Sequence, residues 1–108
     1  MSWWVYLKNE EGEAVEVPRH SEGGTYVMGG TKTAELNVTY NYGKHFNFKE
    51  LDGKTGEEAK SLLIKAVEEF GIKRIEDYWN PTKGNVGYAC NILLHWAQIH
   101  PEAIFTVN

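Results

Sequence analysis

The sequence has only one cysteine, no excess of basic residues and no long hydrophobic run. Cys90 alone cannot form an internal disulfide, and its place in an apolar stretch predicts a small buried side chain. The formal net charge is −4, whereas a protein that binds the phosphate backbone non-specifically is basic. Generic nucleic-acid binding is therefore disfavoured, but a local anion site is compatible with this charge.

The absence of a long hydrophobic run also bears on location. No run approaches the roughly 20 apolar residues of a membrane-spanning helix. The N-terminal stretch lacks the basic region and the long apolar segment of a signal peptide. We therefore expect a cytoplasmic protein without membrane association. Its 108 residues, 42% of them hydrophobic, predict a single domain over residues 1–108 with one core.

The most informative stretch covers residues 85–100 and predicts a helix that is apolar around most of its circumference. Such a helix is normally buried at the centre of a domain. Its polar side chains recur at helical spacing and form one narrow stripe. The stripe consists of Tyr88, Asn91, His95 and Gln98. It predicts either a strip of surface that faces solvent or the polar wall of a pocket.

Alternation of apolar and polar residues predicts four strands in the first half of the chain. They span residues 3–8, 15–17, 25–28 and 34–42. Pro18 is expected to end the second strand or confine it to a sheet edge, because proline cannot donate a ladder hydrogen bond. Residues 29–32 are typical of a turn. Short turns between successive strands predict an antiparallel meander.

Two helices and a last strand complete the predicted fold. Thr55 and Glu58 match a capping box, and apolar residues then recur at helical spacing up to Phe70, where Gly71 stops the helix. The central helix follows, and residues 103–107 predict a closing strand. The predicted fold is α+β, an antiparallel β-meander with two helices packed on one face and a C-terminal strand.

The entry to the central helix is the best candidate for a binding site. A helix N-terminus offers unpaired backbone N–H groups and a partial positive charge, and glycines let an anion approach them closely. Lys83 adds a full charge, and an aromatic pair precedes it. The predicted ligand site comprises Tyr78, Trp79, Thr82, Lys83, Gly84, Asn85 and Gly87, with Tyr88, Asn91 and His95 continuing along the stripe.

A purely structural interpretation of the same residues stays open. In it, Asn85 is only the N-cap, Gly87 only relieves crowding against the sheet, and Trp79 belongs to the core. The spacing of a P-loop is absent. No histidine has metal-ligand spacing and no nucleophile motif is visible, so we predict no catalytic residue, no metal and no cofactor.

Two functional hypotheses follow. The first is a non-enzymatic protein that binds a small anionic, nucleotide-like ligand at the N-terminus of the central helix. The second is a protein–protein inhibitor or adaptor that acts through an acidic, aromatic-rich surface with Trp4 and Tyr6 as anchors. One face of the first strand must expose apolar side chains, which predicts a homodimer unless residues 18–24 fold over that patch.

Several stretches together resemble a group of small, uncharacterised proteins carried by bacteria, prophages and phages. The stretches are residues 22–26, 36–42, 51–58, 78–87 and 93–97. The resemblance implies a small soluble protein in a bacterial cytoplasm, encoded by a phage, and phage proteins of this size often bind and block a host component. It implies no activity and no site residue.

Overall fold

A three-stranded antiparallel sheet is built around the strand β1 (Ser2–Lys8). The structure, a computed structural model, describes residues 1–21 and 30–108. Two short strands, β2 (Glu16–His20) and β3 (Thr31–Thr33), pair with each other in a second sheet. Strands β4 (Glu35–Thr39) and β5 (Ile104–Val107) lie on either side of β1, both antiparallel to it.

The two sheets separate at a junction of three buried residues, Leu7, Val15 and Ala34. The Val15 N–H donates to the Leu7 carbonyl at 3.0 Å, the Ala34 N–H to that of Val15 at 2.9 Å, and the Leu7 N–H to that of Ala34 at 3.1 Å. The backbone N–H and carbonyl groups of these three residues therefore all have hydrogen-bond partners. Past this junction, β2 and β3 leave the edge of the main sheet.

The α+β class, the antiparallel pairing and the C-terminal strand are confirmed. The strand order, however, is β4-β1-β5 and does not follow the chain, because the last strand returns to the free edge of β1. Pro18 lies inside β2, and the strand tolerates it because β2 has a partner on one side only. The strand predicted over residues 25–28 lies outside the described residues.

Two local predictions in this half of the chain are wrong. The turn expected over residues 29–32 includes the start of β3, a run of β-branched and extended residues. The strand expected up to Tyr42 ends at Thr39, whose side chain accepts a hydrogen bond from the Asn41 N–H and caps a 3₁₀ helix over Tyr40–Lys44. A local side-chain bond to the backbone thus replaces the ladder. As a result Tyr40 is exposed, whereas Tyr42 is buried.

The helix α1 (Gly56–Phe70) begins at the predicted capping box. Thr55 Oγ1 accepts from the Glu58 N–H at 3.1 Å, and the Thr55 N–H donates to the Glu58 carboxylate at 2.9 Å. The donated hydrogen bond lowers the pKa of Glu58, so the cap contributes at neutral pH and weakens as the pH falls through that pKa. Gly71 ends the helix with φ 71°, as predicted.

The helix α2 (Lys83–Ile99) is the buried central helix. It begins two residues before the predicted start at Asn85, because Thr82 is the N-cap. Its buried residues are Asn85, Val86, Gly87, Ala89, Cys90, Leu93, Leu94, Trp96 and Ala97. None of the helices in the described ranges is long and apolar enough to span a membrane.

The two helices run antiparallel and approach closely at both ends. A Cβ atom at Gly56 would lie 2.7 Å from the His100 carbonyl oxygen, so the start of α1 touches the end of α2. At the opposite end, Gly87 of α2 faces the Gly71 carbonyl that follows α1. Small residues at both contacts let the backbones meet, and this fixes the position of the segment that joins the helices.

Two core substitutions test the assigned helix faces. Leu63→Ala and Leu93→Ala are each expected to lower the free energy of unfolding by roughly 2–5 kcal/mol, because both side chains are fully buried and truncation leaves a cavity. Lys65→Ala, at an exposed position of α1, is expected to change it by less than about 0.5 kcal/mol. Urea denaturation measures all three, and a tolerant Leu63→Ala variant would show that the face assignment is wrong.

Candidate functional site

The segment before α2 is organised by Asn85, whose side chain is fully buried. Its Oδ1 accepts from the Ile75 N–H at 2.8 Å, and its Nδ2 donates to the carbonyls of Asp77 at 3.1 Å and Asn80 at 2.8 Å. Both ends of the amide therefore bind backbone. Asn85 is not the N-cap; that position is Thr82, which accepts from the Asn85 N–H at 3.1 Å.

Gly84 and Gly87 are packed against backbone. A Cβ at Gly84 would collide with the Lys73 carbonyl oxygen, and one at Gly87 would collide with the Gly71 carbonyl oxygen. Gly87 thus relieves crowding, as the structural interpretation expects. The backbone that it contacts belongs to the segment after α1 and not to the sheet. Carbonyl oxygens therefore fill the space through which an anion would approach these two glycines.

Tyr78 and Trp79 form an aromatic pair on the turn that precedes α2. Their ring centroids are 4.5 Å apart. The Trp79 side chain is 53% exposed, so it is not part of the core. Lys83 is also exposed, at the first position of the helix. At this end of α2, Trp79 and Lys83 are thus exposed and Tyr78 is half-buried. Asn85 and Gly87 are buried and hold the structure together.

The remaining predicted residues, Tyr88, Asn91 and His95, line a cavity of about 230 Å³ between α2 and β2. The other side of this cavity, the β2–α2 pocket, is formed by the end of β2 and the residue after it. Its lining is completed by Pro18, Arg19, His20, Ser21, Ile92 and Trp96. The polar stripe is therefore a pocket wall over three of its four residues, and Gln98 lies outside the lining.

Two residues of this pocket that can carry charge, Arg19 and His20, are not among the site residues predicted from the sequence. His20 has no metal-ligand spacing, and Arg19 follows Pro18, where the second strand is expected to end. Neither residue has a local pattern that links it to the stripe on α2, since β2 reaches the helix only through the tertiary fold. The weak signal in the sequence is that an arginine and a histidine are adjacent within residues 10–22, where the other charged residues are all glutamates.

The charges that line the described cavities are segregated. Among the described residues, the lining of the β2–α2 pocket includes Arg19, His20 and His95 and no carboxylate. A larger cavity of about 600 Å³, beside the β1–β2 turn, is lined instead by five glutamates and His100. The glutamates are Glu10, Glu11, Glu13, Glu16 and Glu102. In a protein of net charge −4, the β2–α2 pocket is thus a local environment that favours anions.

His20 contributes a specific geometry to this pocket. Its Nδ1 lies 3.0 Å from the Ser21 carbonyl oxygen and its Nε2 lies 2.8 Å from that of Thr33. Carbonyl oxygens only accept hydrogen bonds, so both contacts are hydrogen bonds at once only when the ring is doubly protonated and positively charged. The imidazole also packs on the Trp96 indole, with ring centroids 5.1 Å apart. Two backbone carbonyls and the Trp96 indole thus hold the His20 ring in the pocket wall.

Chemistry of other kinds has little support in the described part of the chain. No group of three or more His, Cys, Asp or Glu side chains there can hold a metal ion. Cys90 is buried in α2, and burial raises the pKa of its thiol well above the usual value, which disfavours the thiolate.

The outer face of the first strand carries two aromatic side chains that are partly exposed. Val5 and Leu7 are buried beneath the sheet, whereas Trp4 and Tyr6 lie on the opposite face with ring centroids 6.2 Å apart. Ile104 of β5, which pairs with Lys8, shares this outer face and is 47% exposed. Residues 18–21 lie beside α2, so the described part of the segment 18–24 does not cover Trp4 and Tyr6.

Comparisons of the chain with family models, with curated proteins and with solved structures give no match. The resemblance to small bacterial and phage proteins therefore stays an expectation from the sequence. The features that bear on function are therefore the β2–α2 pocket, the outer face of β1 with Trp4 and Tyr6, and the turn at Trp79.

Proposed function

We propose that this chain is a non-enzymatic binding protein that captures a small anionic, nucleotide-like ligand in the β2–α2 pocket. The observation that carries the proposal is the meeting of Arg19 and His20 with the polar stripe of α2, across a lining whose described residues include no carboxylate. In this proposal the ligand lies along the stripe, away from the helix N-terminus, where backbone carbonyls pack on Gly84 and Gly87.

Each part of the pocket has a role in this proposal. The Arg19 guanidinium matches the oxygens of a phosphate or carboxylate in a bidentate manner. Tyr88 and Asn91 supply a hydroxyl and an amide that orient the ligand, and Ile92 offers an apolar wall. The cavity of about 230 Å³ is smaller than the roughly 300–1,000 Å³ of sites for drug-sized ligands. The ligand is therefore no larger than a mononucleotide.

Isothermal titration against inorganic phosphate, ribose 5-phosphate, mononucleotides and cyclic dinucleotides tests this proposal. We expect binding of a phosphate monoester of mononucleotide size or smaller. Arg19→Ala is expected to weaken that binding at least about tenfold, because a hydrogen-bonded charge is lost. Lys83→Ala at the helix N-terminus is the matched control and should bind as the wild type does.

Two outcomes would contradict the pocket assignment. If Lys83→Ala abolishes binding while Arg19→Ala has no effect, the ligand binds at the start of α2 as the sequence alone suggests. If no member of the panel binds, the anion hypothesis itself is lost. Circular dichroism of both variants separates lost binding from lost folding, and both side chains are exposed, so we expect intact folds.

The second candidate is a protein–protein inhibitor or adaptor, including a homodimer, that uses the outer face of the main sheet. The favouring observation is the stacked pair Trp4 and Tyr6, extended by the half-exposed Ile104. Large apolar groups together on one open face are characteristic of interfaces, and a symmetric dimer is the commonest way to bury them.

Light scattering coupled to size-exclusion chromatography tests self-association. We expect a mass twice that of the 12.3 kDa chain for the wild type and a monomer for Trp4→Glu, because a carboxylate in the patch cannot be desolvated cheaply. Trp79→Glu alters another exposed tryptophan and should leave the dimer intact. A monomeric wild type at micromolar concentration would refute the dimer, and a dimeric Trp4→Glu variant would assign it to another surface.

A further inference from the structure

The turn over residues 77–80 is held more firmly than an exposed loop requires. Each of its four consecutive carbonyls accepts a hydrogen bond from a side chain that lies elsewhere in the chain. Asn85 binds the first and the fourth, Tyr42 binds the second through its hydroxyl, and Asn41 binds the third at 3.0 Å. An additional backbone bond from the Asn80 N–H to the Asp77 carbonyl closes the turn at 3.1 Å.

This rigid turn presents a large aromatic surface to solvent. Trp79 is more than half exposed and Tyr78 packs against its ring. A tryptophan whose backbone is already ordered costs less conformational entropy on binding than one on a loose loop. Tryptophan is also among the residues that contribute most to binding at interfaces.

Two carboxylates lie directly before the aromatic pair in the chain. Glu76 and Asp77 directly precede it, both are exposed, and neither forms an ion pair with another described residue. Arg74, the nearest basic residue before them, has its guanidinium over the Tyr88 ring at 4.9 Å. The protein thus already contains the pairing of a cation with an aromatic face, both there and at Lys8 over Tyr6.

We propose that the Trp79 turn, residues 76–80, is a recognition surface for an arginine-bearing segment of a partner protein. The guanidinium lies flat on the exposed indole of Trp79 and pairs with the carboxylates of Glu76 and Asp77. Arginine suits this surface because its planar cation both stacks on aromatic rings and binds carboxylates. The surface is separate from the β2–α2 pocket and from the outer face of the sheet.

Fluorescence anisotropy with a short, fluorescein-labelled Gly-Arg repeat peptide at low salt tests the proposal. We expect saturable binding that the matched peptide with neutral citrulline in place of arginine lacks. Trp79→Ala should weaken binding about tenfold, as loss of a cation–π contact predicts. Trp79→Phe should recover part of the affinity, because it keeps an aromatic face, and a Glu76→Gln/Asp77→Asn double variant should weaken binding several-fold.

Two controls locate the peptide. A Trp4→Ala variant removes a tryptophan from the outer sheet face and should bind as the wild type does. A triple variant, Glu10→Gln/Glu11→Gln/Glu13→Gln, removes charge from the acidic cavity beside the β1–β2 turn and should also retain binding. If the triple variant abolishes binding while Trp79→Ala leaves it unchanged, the peptide binds that acidic cavity and the proposal is overturned. Absence of binding to the wild type overturns it as well.

Discussion

The Gly87→Ala variant is expected to lose about 3 kcal/mol of folding free energy, at the upper end of the usual cost of overpacking, through a steric clash inside a well-packed contact. The added methyl group would collide with the Gly71 carbonyl oxygen and approach Phe70 Cβ to 3.1 Å. These atoms belong to backbone and to the root of a side chain, so neither can rotate away. The α1–α2 contact must open at the end that positions residues 71–80.

The sign of this effect makes it a sharp test. In an exposed helix interior, alanine is favoured over glycine by about 1 kcal/mol, so propensity alone predicts a more stable Gly87→Ala variant. Ser61→Ala, at an exposed position of α1, is the propensity control and should be neutral or slightly stabilising. Urea denaturation followed by circular dichroism measures both. A Gly87→Ala variant as stable as the wild type would refute the close contact.

The Asn85→Ala variant is expected to lose roughly 2–4 kcal/mol of folding free energy, because truncation removes three buried hydrogen bonds and leaves the Ile75 N–H without its acceptor. The carbonyls of Asp77 and Asn80 each keep a backbone donor. The side chain is fully buried, so water does not readily replace it. The loss should concentrate in the segment before α2, where all three bonds end.

Amide hydrogen exchange gives this prediction a local readout. In the wild type the Ile75 amide donates to Asn85 Oδ1, and in Asn85→Ala it should exchange much faster than amides in the middle of α1. Thr82→Ala removes only the N-cap bond of the same helix and should cost about 1 kcal/mol. Equal losses for the two variants would mean that Asn85 acts only locally at the helix start.

These two residues also bear on where a ligand binds. Gly87 and Asn85 were candidates for anion contact because glycine and asparagine at a helix start are compatible with that role. In the fold, both serve the packing of the α1–α2 segment. The stripe residues Tyr88, Asn91 and His95 instead face Arg19 and His20, and the proposed anion site therefore lies farther along α2.

Features that depend on contacts within a few residues can be predicted from the amino-acid sequence. The capping box of Thr55 and Glu58 spans one helical turn, and Gly71 ends α1 through its own backbone conformation. The burial of α2 and its polar stripe follow from periodicity alone, because a helix that is apolar nearly all round must be covered. The α+β class follows from the same patterning. The alternation in β1 leaves open which face turns inward, and the fold buries Val5 and Leu7.

Which helices and strands contact one another is seen in the tertiary structure and not in the sequence pattern. The order β4-β1-β5, the placement of Arg19 and His20 opposite α2, and the contact of Gly87 with the Gly71 carbonyl each join residues far apart in the chain. Periodicity shows which face of an element is buried but not what covers it. Asn85 shows the same limit, because its amide binds backbone that packing alone brings within hydrogen-bond distance.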